Sequence, residues 1–454
     1  MKVPLCFQWK KSNRRAIAGV VVLAAVAFTI PGCKEDAAPT DVPSTTTEVD
    51  AYLAHVWFTV VYNRVRADAV APPQASRVYG YFGVTLYEAI VGGSSRHRSV
   101  ATQLNGALDI PPGSDEYHWP TVANNALATV MGSLLSMPNS QTAIAETKSQ
   151  FDVLYGSEPL YTASIARGQE IGVAIVAWAN ADGYASRPTA YTPCTDPGCW
   201  EPTPPGFLPA LEPGWRTLRP FVIASGSSIV PGPPPAFSED SSSVWYEEAM
   251  EVYTTTGDLG ANLTTEQNDI ALFWADGPGA TGTPPGHSMY ICMQVAQQMN
   301  LNLFDAGEAY ARVAVSVADA FITCWYAKFD TQLMRPVTYI QRYIDANWDP
   351  LLTTPNFPTY TSGHSTETSA SARVMADLWG DSVTFTDHTH DSRGLSPRTF
   401  NSFTEAAMES AISRLYGGIQ YQFDNDDGFA QGQEVGAQVS ALIWRQTSVA
   451  EKGR

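Results

Sequence analysis

Residues Phe357–Ser365 have the sequence FPTYTSGHS, and a run of small and apolar residues follows from Thr366 to Leu378. This pattern predicts a helix that begins near Ser365. The first N–H groups of a helix have no intrahelical partner, and the helix dipole adds partial positive charge there. Gly363 lets backbone approach a ligand closely, and His364 can titrate near neutral pH. The segment is therefore a candidate anion cradle, although the tripeptide alone is more typical of a capped helix with a surface histidine.

Composition and charge restrict the classes of partner. The chain has 454 residues, of which 44% are hydrophobic and 16% are charged, and this balance is typical of a globular protein with a sizeable core. The net charge is −18, and five basic residues without any acid lie within residues 1–32, so the remainder is more acidic still. So acidic a chain argues against nucleic acid and anionic membranes as partners. A cluster of cations in so acidic a chain therefore indicates a local function.

The N-terminus has the pattern of a targeting segment. Basic residues end at Arg15, and the apolar stretch 16–30 is short for a membrane-spanning helix but suits a signal sequence. Ile30-Pro-Gly-Cys33 resembles a bacterial lipobox, which predicts lipidation of Cys33; an uncleaved anchor is the alternative. We expect a signal segment at 1–32, a polar tether at 33–48 and one domain at 49–447. The protein would be exported, either to the periplasm or cell envelope or as a secreted protein, with membrane contact only through the lipid anchor.

Export implies an oxidising compartment, in which disulfides persist. Cys194 and Cys199 share the Pro/Gly-rich loop PCTDPGCW, and we expect them to form a local disulfide. Cys292 and Cys324 lie in apolar helical stretches and are typical of small core residues. No CxxC pair or zinc-type spacing is present.

Apolar residues recur at helical spacing along most of the domain, and strand-like alternation is scarce. The pattern predicts an all-α fold of about a dozen helices with long irregular loops. Pro284-Pro285-Gly286-His287 is interpreted as a turn, with His287 standing alone rather than in a paired metal-ligand set. Residues 182–241 are rich in Pro, Gly and Thr and predict a long irregular excursion. This excursion either shapes a substrate mouth or covers the helical bundle, and the sequence leaves both open.

Two further segments place cations near helix ends. Lys328 and Arg335 are separated by six residues, and Pro336 makes Arg335 a helix boundary. Arg414 lies in the last predicted turn before Gly417-Gly418, and Asp424 is a good N-cap for the final helix. Each segment alone is typical of surface ion pairs or of residues that end one helix and begin the next.

Taken in order, the blocks at 328–336, 358–365 and 413–424 resemble the signature of the vanadium haloperoxidase and type 2 phosphatidic acid phosphatase superfamily. That signature reads K-x6-R-P, then P-S-G-H, then S-R-x5-H-x3-D. Other segments resemble its secreted bacterial haloperoxidase-like branch, so that the resemblance covers roughly residues 50–447. These segments are Pro72–Arg77, Trp200–Pro205, Leu211–Pro213, Pro284–His287 and Arg335–Ile340.

The resemblance implies a helical-bundle fold and a role for each matching residue. Lys328, Arg335 and Arg414 would neutralise the oxygens of vanadate, for which phosphate is the competing occupant. Ser362 and the Gly363 N–H would donate to equatorial oxygens, and His364 would be the acid/base. In the family the histidine of the third block binds vanadium or attacks phosphorus. Asp424 occupies the position that orients this histidine in the phosphatases.

The chain departs from the signature at two positions. Thr361 replaces a proline, which changes the stiffness of the loop. Gln420 replaces the histidine that ligates vanadium or acts as the nucleophile. A carboxamide is neither a good ligand nor a nucleophile, although it can hydrogen-bond an oxyanion. No direct side-chain ligand to the metal is therefore expected.

His388 and His390 lie in Asp387-His-Thr-His-Asp391 and offer an alternative imidazole. One of them could reach the oxyanion, but a polar loop with incidental metal affinity is the preferred interpretation. Residues 424–428 faintly resemble a calcium loop, yet they lack its closing Glu, and an acidic helix N-terminus explains them better.

Three functions follow as hypotheses, and Gln420 separates them. The leading one is a vanadate-dependent haloperoxidase-like enzyme, impaired by Gln420, that oxidises halide with hydrogen peroxide and acts on halide or a small organic substrate. The second is an acid phosphatase of the same superfamily, for a phosphomonoester or a lipid phosphate. The third is a non-catalytic exported protein that binds an oxyanion.

Overall fold

The computed structural model describes residues 49–114 and 116–446. The predicted signal segment, the tether and the lipidation site at Cys33 lie outside these residues. Within the described part of the chain, no helix combines the length and the apolar character that a membrane crossing requires.

The described residues form thirteen α-helices and one two-stranded antiparallel sheet, which confirms the all-α prediction. The helices are α1 (Tyr52–Ala67), α2 (Pro72–Ile90), α3 (Trp119–Leu134), α4 (Pro138–Tyr155), α5 (Tyr161–Asn180), α6 (Val244–Thr256), α7 (Thr265–Phe273), α8 (Thr283–Gln298), α9 (Leu303–Thr331), α10 (Pro336–Tyr343), α11 (Gly363–Trp379), α12 (Phe403–Tyr416) and α13 (Gln422–Ser440). The strands are β1 (Phe385–Asp387) and β2 (Arg398–Phe400), paired so that Phe385 faces Phe400.

Two predicted helix starts are wrong. Pro284-Pro285-Gly286-His287 belongs to the first turn of α8, where a proline costs no hydrogen bond because the first N–H groups have no helical acceptor. The N-cap of α13 is Tyr421 rather than Asp424. Asp424 lies three residues into the cap motif, and its carboxylate accepts the Tyr421 N–H at 3.0 Å. The acid is therefore fixed at the helix N-terminus by a capping-box contact.

Helix α9 is the central element of the bundle. It has 29 residues, nearly all of them buried, and it packs against α2, α8, α11 and α13. Small residues permit the close packing with α2, since a Cβ at Gly83 would lie 2.6 Å from the Ala314 Cβ. The last turn of α9 carries Lys328, so the core helix delivers this cation directly to the candidate site.

The crossing of α11 and α13 brings the second and third sequence blocks together. A Cβ at Gly432 would lie 2.0 Å from the Thr366 carbonyl oxygen, and one at Gly428 would lie 2.9 Å from the Ser362 oxygen. Because only glycine allows such an approach, these residues of α13 fix the position of the α11 N-terminus.

Two parts of the excursion at 182–241 have different surroundings. One part covers the bundle: the buried Asp319 on α9 accepts N–H groups of Phe221, Val222 and Ile223 at 2.6, 2.7 and 3.0 Å. Another part, at 203–208 and 211, lines a large cavity above the N-terminus of α11. Cys194 and Cys199 form a disulfide in this excursion, and Cys292 and Cys324 are buried and free.

Candidate active site

A cavity of about 660 Å³ has five of the eight predicted site residues in its wall. They come from all three sequence blocks: Arg335, Gly363, His364, Arg414 and Gln420. The other three, Lys328, Ser362 and Asp424, are fully buried and lie outside the cavity lining. Each block sits at a helix end, so the three helix termini converge on one cavity.

Arg335 is the N-cap residue of α10 and presents an oriented guanidinium group. Its Nε donates to the Phe357 oxygen and its Nη1 to the Ile419 oxygen, both at 2.8 Å. Its Nη2 is buried and has no partner among the described residues. Because a buried, unpaired charged donor is costly, this nitrogen is a candidate donor to an anionic ligand in the cavity.

Arg414 supplies the second cation of the cavity wall. Its Nε lies 3.0 Å from the Ser413 Oγ, and its Nη2 donates weakly to the Ala271 oxygen at 3.3 Å. Burial lowers the pKa of Arg335 and of Arg414 to about 10, which leaves both charged at neutral pH. Two fixed positive charges therefore face one cavity in a strongly acidic protein.

Lys328 lies behind the wall rather than in it. Its ammonium donates to the oxygens of Pro358 and Thr359 at 3.0 and 2.7 Å, and also to the Thr361 oxygen. All three N–H groups are thus used by the loop that precedes α11. Burial lowers the pKa of Lys328 to about 8. In this arrangement Lys328 shapes the loop and adds positive potential, whereas the sequence predicted direct contact with an oxyanion.

The N-terminus of α11 forms the floor of the cavity. Ser362 is its N-cap, and the hydroxyl accepts the Ser365 N–H at 3.4 Å. Gly363 follows, and a Cβ there would meet only a Trp325 ring carbon at 4.0 Å, so the space beside this residue is open. The free N–H groups of the first turn and the helix dipole both favour an anion at this position.

His364 lies next to Arg414 in the cavity wall. Its Nε2 lies 3.0 Å from the Trp274 carbonyl oxygen and 3.4 Å from the Arg414 Nη1. A carbonyl can only accept, so Nε2 carries the proton and Nδ1 carries the lone pair. Burial, followed by the charge of Arg414, holds the pKa of His364 well below its usual range. The side chain is consequently neutral.

Gln420 and Asp424 are joined through Thr359. The Thr359 hydroxyl lies 2.6 Å from the Gln420 Oε1 and 2.5 Å from the Asp424 Oδ2, and the Gln420 Nε2 donates to the Thr359 oxygen at 3.3 Å. Burial raises the pKa of Asp424 to about 7. A protonated Asp424 can donate to the hydroxyl, which then donates to Gln420. One N–H of the Gln420 amide remains available to a ligand.

Neither alternative imidazole lines the cavity. His388 is exposed and lies 3.0 Å from the Asp391 carboxylate. His390 lies in the turn after β1 and is buried near Asp276 and His287, so the polar loop is packed inward rather than exposed at this residue. The close approach of its ring to His287, with 4.7 Å between the ring centroids, also shows that His287 does not stand alone.

Asp276 is a cavity residue that the sequence did not single out. It follows Trp274-Ala275 after α7, and its negative charge lies close enough to Arg414 to raise the pKa of that group against the effect of burial. Its only sequence signal is an acid before Gly277-Pro278-Gly279, a common loop pattern.

In this helical bundle, helix ends bring buried guanidinium groups to a helix N-terminus. This arrangement is typical of proteins that bind oxyanions. The family model for the VCPO second helical-bundle domain matches residues 308–448, which contain all three blocks. A bacterial vanadium-dependent iodoperoxidase of known structure is 34% identical, with 88% of this chain and 98% of that chain covered and a TM-score of 0.82. The chain therefore belongs to the vanadium haloperoxidase family.

Two more distant relatives agree with this assignment. The vanadium chloroperoxidase of Curvularia inaequalis is 24% identical over 274 residues, which are 46% of this chain and 45% of that protein. The chain thus matches less than half the length of this curated relative. A holo-type bacterial vanadium-dependent chloroperoxidase of known structure is 16% identical, with a TM-score of 0.66. The match covers 83% of this chain and 93% of that chain, and at this identity it supports the fold alone.

Proposed function

We propose that this protein binds vanadate and uses hydrogen peroxide to oxidise halide. The observation that carries the proposal is the Arg335 Nη2, a buried cationic donor without a partner, in the wall of a cavity whose floor is a helix N-terminus. Arg335, Arg414 and the Gly363 N–H would hold the oxyanion, and these donors fit its charge and its several acceptor oxygens.

Bound vanadate would supply a Lewis-acidic centre that polarises hydrogen peroxide. The chain itself supplies the proton transfer. His364 is neutral with its lone pair on Nδ1, so it can accept a proton from incoming peroxide and return it to the departing water. The overall change is balanced as halide plus hydrogen peroxide plus a proton, giving hypohalous acid and water. Arg414, 3.4 Å from the His364 Nε2, opposes protonation until an anion offsets its charge.

Gln420 argues against phosphatase chemistry through a phosphohistidine. Among the residues that the structure describes, His364 supplies the one imidazole of the cavity wall, and no imidazole occupies the position of the third block. Gln420 instead offers one amide N–H, which can donate to an oxyanion but cannot attack phosphorus. We infer weaker vanadate binding than an imidazole ligand would give, with the peroxidase reaction retained.

The proposal is tested by two parallel assays of the purified full-length chain. One contains vanadate, peroxide and either iodide or bromide; iodide is included because the relative with 34% identity is an iodoperoxidase. The other contains a phosphomonoester and no vanadate. We expect halide oxidation that Arg335→Met abolishes and that Arg342→Met leaves intact, because Arg342 pairs with Glu201 at the surface.

Other results have definite meanings. Turnover of the phosphomonoester by the unmodified chain would refute the argument from Gln420. Inactivity in both assays, with inorganic phosphate still raising the melting temperature, would favour a non-catalytic oxyanion-binding protein.

A further inference from the structure

Four titratable side chains form a buried cluster beside the cavity, and the proposed function uses none of them. They are Asp276, His287, Asp387 and His390, and at most 1% of each side chain is exposed. Asp276 lies in the cavity wall. The cluster thus has contact with the cavity on one side while its remaining members are enclosed by the fold.

Two polar atoms of this cluster face each other without a hydrogen-bond partner. The Asp276 Oδ1 and the His390 Nε2 are both buried and unpaired, and 3.4 Å separates them. A tetrahedral ion with bonds of about 2.0–2.1 Å places its ligand atoms about 3.3 Å apart. The separation of these two atoms therefore matches that of two ligands of one metal ion.

His287 has the orientation of a metal ligand that is fixed from behind. Its Nε2 lies 2.6 Å from the Asp387 Oδ2, and its Nδ1 lies 2.8 Å from the Asp276 Oδ2. Asp387 is itself held by the N–H and the hydroxyl of Thr389, at 2.9 and 2.6 Å. Histidine ligands commonly donate their second N–H to such an oriented carboxylate. The Nδ1 that faces Asp276 would exchange its hydrogen bond for the metal.

We propose that Asp276, His287 and His390 form a site for a divalent transition-metal ion of the zinc type. One ligand atom from each residue lies within 4.8 Å of the others, and two imidazoles with one carboxylate are a donor set that zinc prefers over calcium or magnesium. The charges of Asp276 and Asp387 balance a doubly charged ion. Asp276 is also a lining residue of the cavity, so the cluster adjoins the cavity although its side chains are buried.

The competing occupant of the cluster is a proton. A protonated His287 can bridge Asp276 and Asp387 by its two N–H groups. The Arg393 Nη1 lies 3.4 Å from the His390 Nδ1. Because the guanidinium donates, it favours a lone pair on Nδ1 and a proton on Nε2, and this proton would point at Asp276. Metal binding requires the other tautomer of His390 and the loss of the His287 proton, and a direct titration distinguishes the two occupants.

The experiment titrates zinc alone into the full-length chain after dialysis against a chelator. Calorimetry should show one equivalent bound, and His390→Gln and Asp276→Asn should each weaken binding at least tenfold. His388→Gln is the matched control, since His388 is two residues away and 52% exposed, and it should bind as the unmodified chain does. Cobalt in place of zinc should give the intense visible absorption of a four-coordinate ion.

Two results would overturn the proposal. Absence of binding to the unmodified chain would show that a proton occupies the cluster. Binding that both variants retain would place the ion elsewhere. The test measures metal binding, so it does not depend on haloperoxidase activity. Asn has nearly the same shape as Asp, so Asp276→Asn remains informative if His390→Gln fails to fold.

Discussion

Replacing Gln420 by histidine should convert a hydrogen-bonding contact into a ligand for vanadium. The Gln420 amide hydrogen-bonds to Thr359 through its oxygen and one N–H. It therefore offers a bound anion at most one neutral donor. An imidazole in its place could ligate vanadium through one nitrogen. Its second N–H would lie near Thr359 and Asp424, whose Oδ1 is buried without a partner.

The expected gain follows from these contacts. An acidic side chain that orients a ligating imidazole typically changes metal affinity about 10- to 100-fold, so the affinity for vanadate should rise by roughly this factor. Phosphate should gain less than about threefold, since phosphorus at equilibrium takes no fifth ligand from the ring while vanadium does. The substitution Gln420→His should therefore raise the selectivity for vanadate over phosphate, as well as the affinity for vanadate itself.

Equilibrium dialysis of the full-length chain with orthovanadate, and then with inorganic phosphate, measures both quantities. Gln422→His is the matched control, because Gln422 is two residues away and its amide pairs with Asp426 at the protein surface. The reasoning is refuted if Gln420→His folds normally and binds vanadate no more tightly than the unmodified chain. An equal gain for phosphate would also refute it, since that result would reflect charge rather than ligation.

Three further substitutions test other parts of the account. Arg335→Met removes the two unpaired N–H groups of Nη2, each worth about 1.5–3 kcal/mol to an anion, so phosphate affinity measured by calorimetry should fall at least roughly 100-fold. Asp319→Ala leaves the N–H groups at 221–223 unpaired in a buried position and should lower the free energy of unfolding in urea by at least about 3 kcal/mol; a loss below 1 kcal/mol would show that the excursion is not held through this carboxylate. Burial raises the pKa of Glu88 from 4.5 to about 7. Between these pH values the folded state keeps a proton that the unfolded state has lost, so the unfolding free energy falls as pH rises through this window. Glu88→Gln should remove this fall, and its stability relative to the unmodified chain should increase between pH 5 and pH 8; no change in that difference would contradict the protonated state.

The sequence predicts the fold class and the helix ends because both depend on local signals, whereas the three blocks are brought together by their resemblance to a family signature. Apolar spacing marks the helices, and Pro336, Ser362 and Gly417 mark the helix ends at which the site residues lie. These signals act within a few residues, so they can be interpreted without knowing the packing.

Other features depend on distant contacts, which local signals do not indicate. Pro284-Pro285 is compatible with a turn or with a first helical turn, and only the packing of α8 decides. Lys328 lies behind the cavity because the carbonyls at 358–361 fold around its ammonium. The pairing of His287 and His390 joins residues that are 103 positions apart, and no periodic pattern indicates such a pair.

Gln420 was identified as the critical departure from the sequence alone, but its surroundings were not. Thr359 holds the amide from two sides and links it to Asp424, a relation that spans 61 residues in one case and 65 in the other. These contacts hold the Gln420 side chain in place, and no local pattern in the sequence indicates them.

The central claim is that vanadate bound between Arg335, Arg414 and the α11 N-terminus carries halide oxidation. The most direct measurement is the initial rate of halide oxidation by the full-length chain as a function of vanadate concentration, with and without inorganic phosphate. The account predicts no rate without vanadate, saturation as vanadate is added, a shift of the curve to higher vanadate by phosphate, and no activity in Arg335→Met. A rate that is independent of vanadate, or one that Arg335→Met retains, would contradict it.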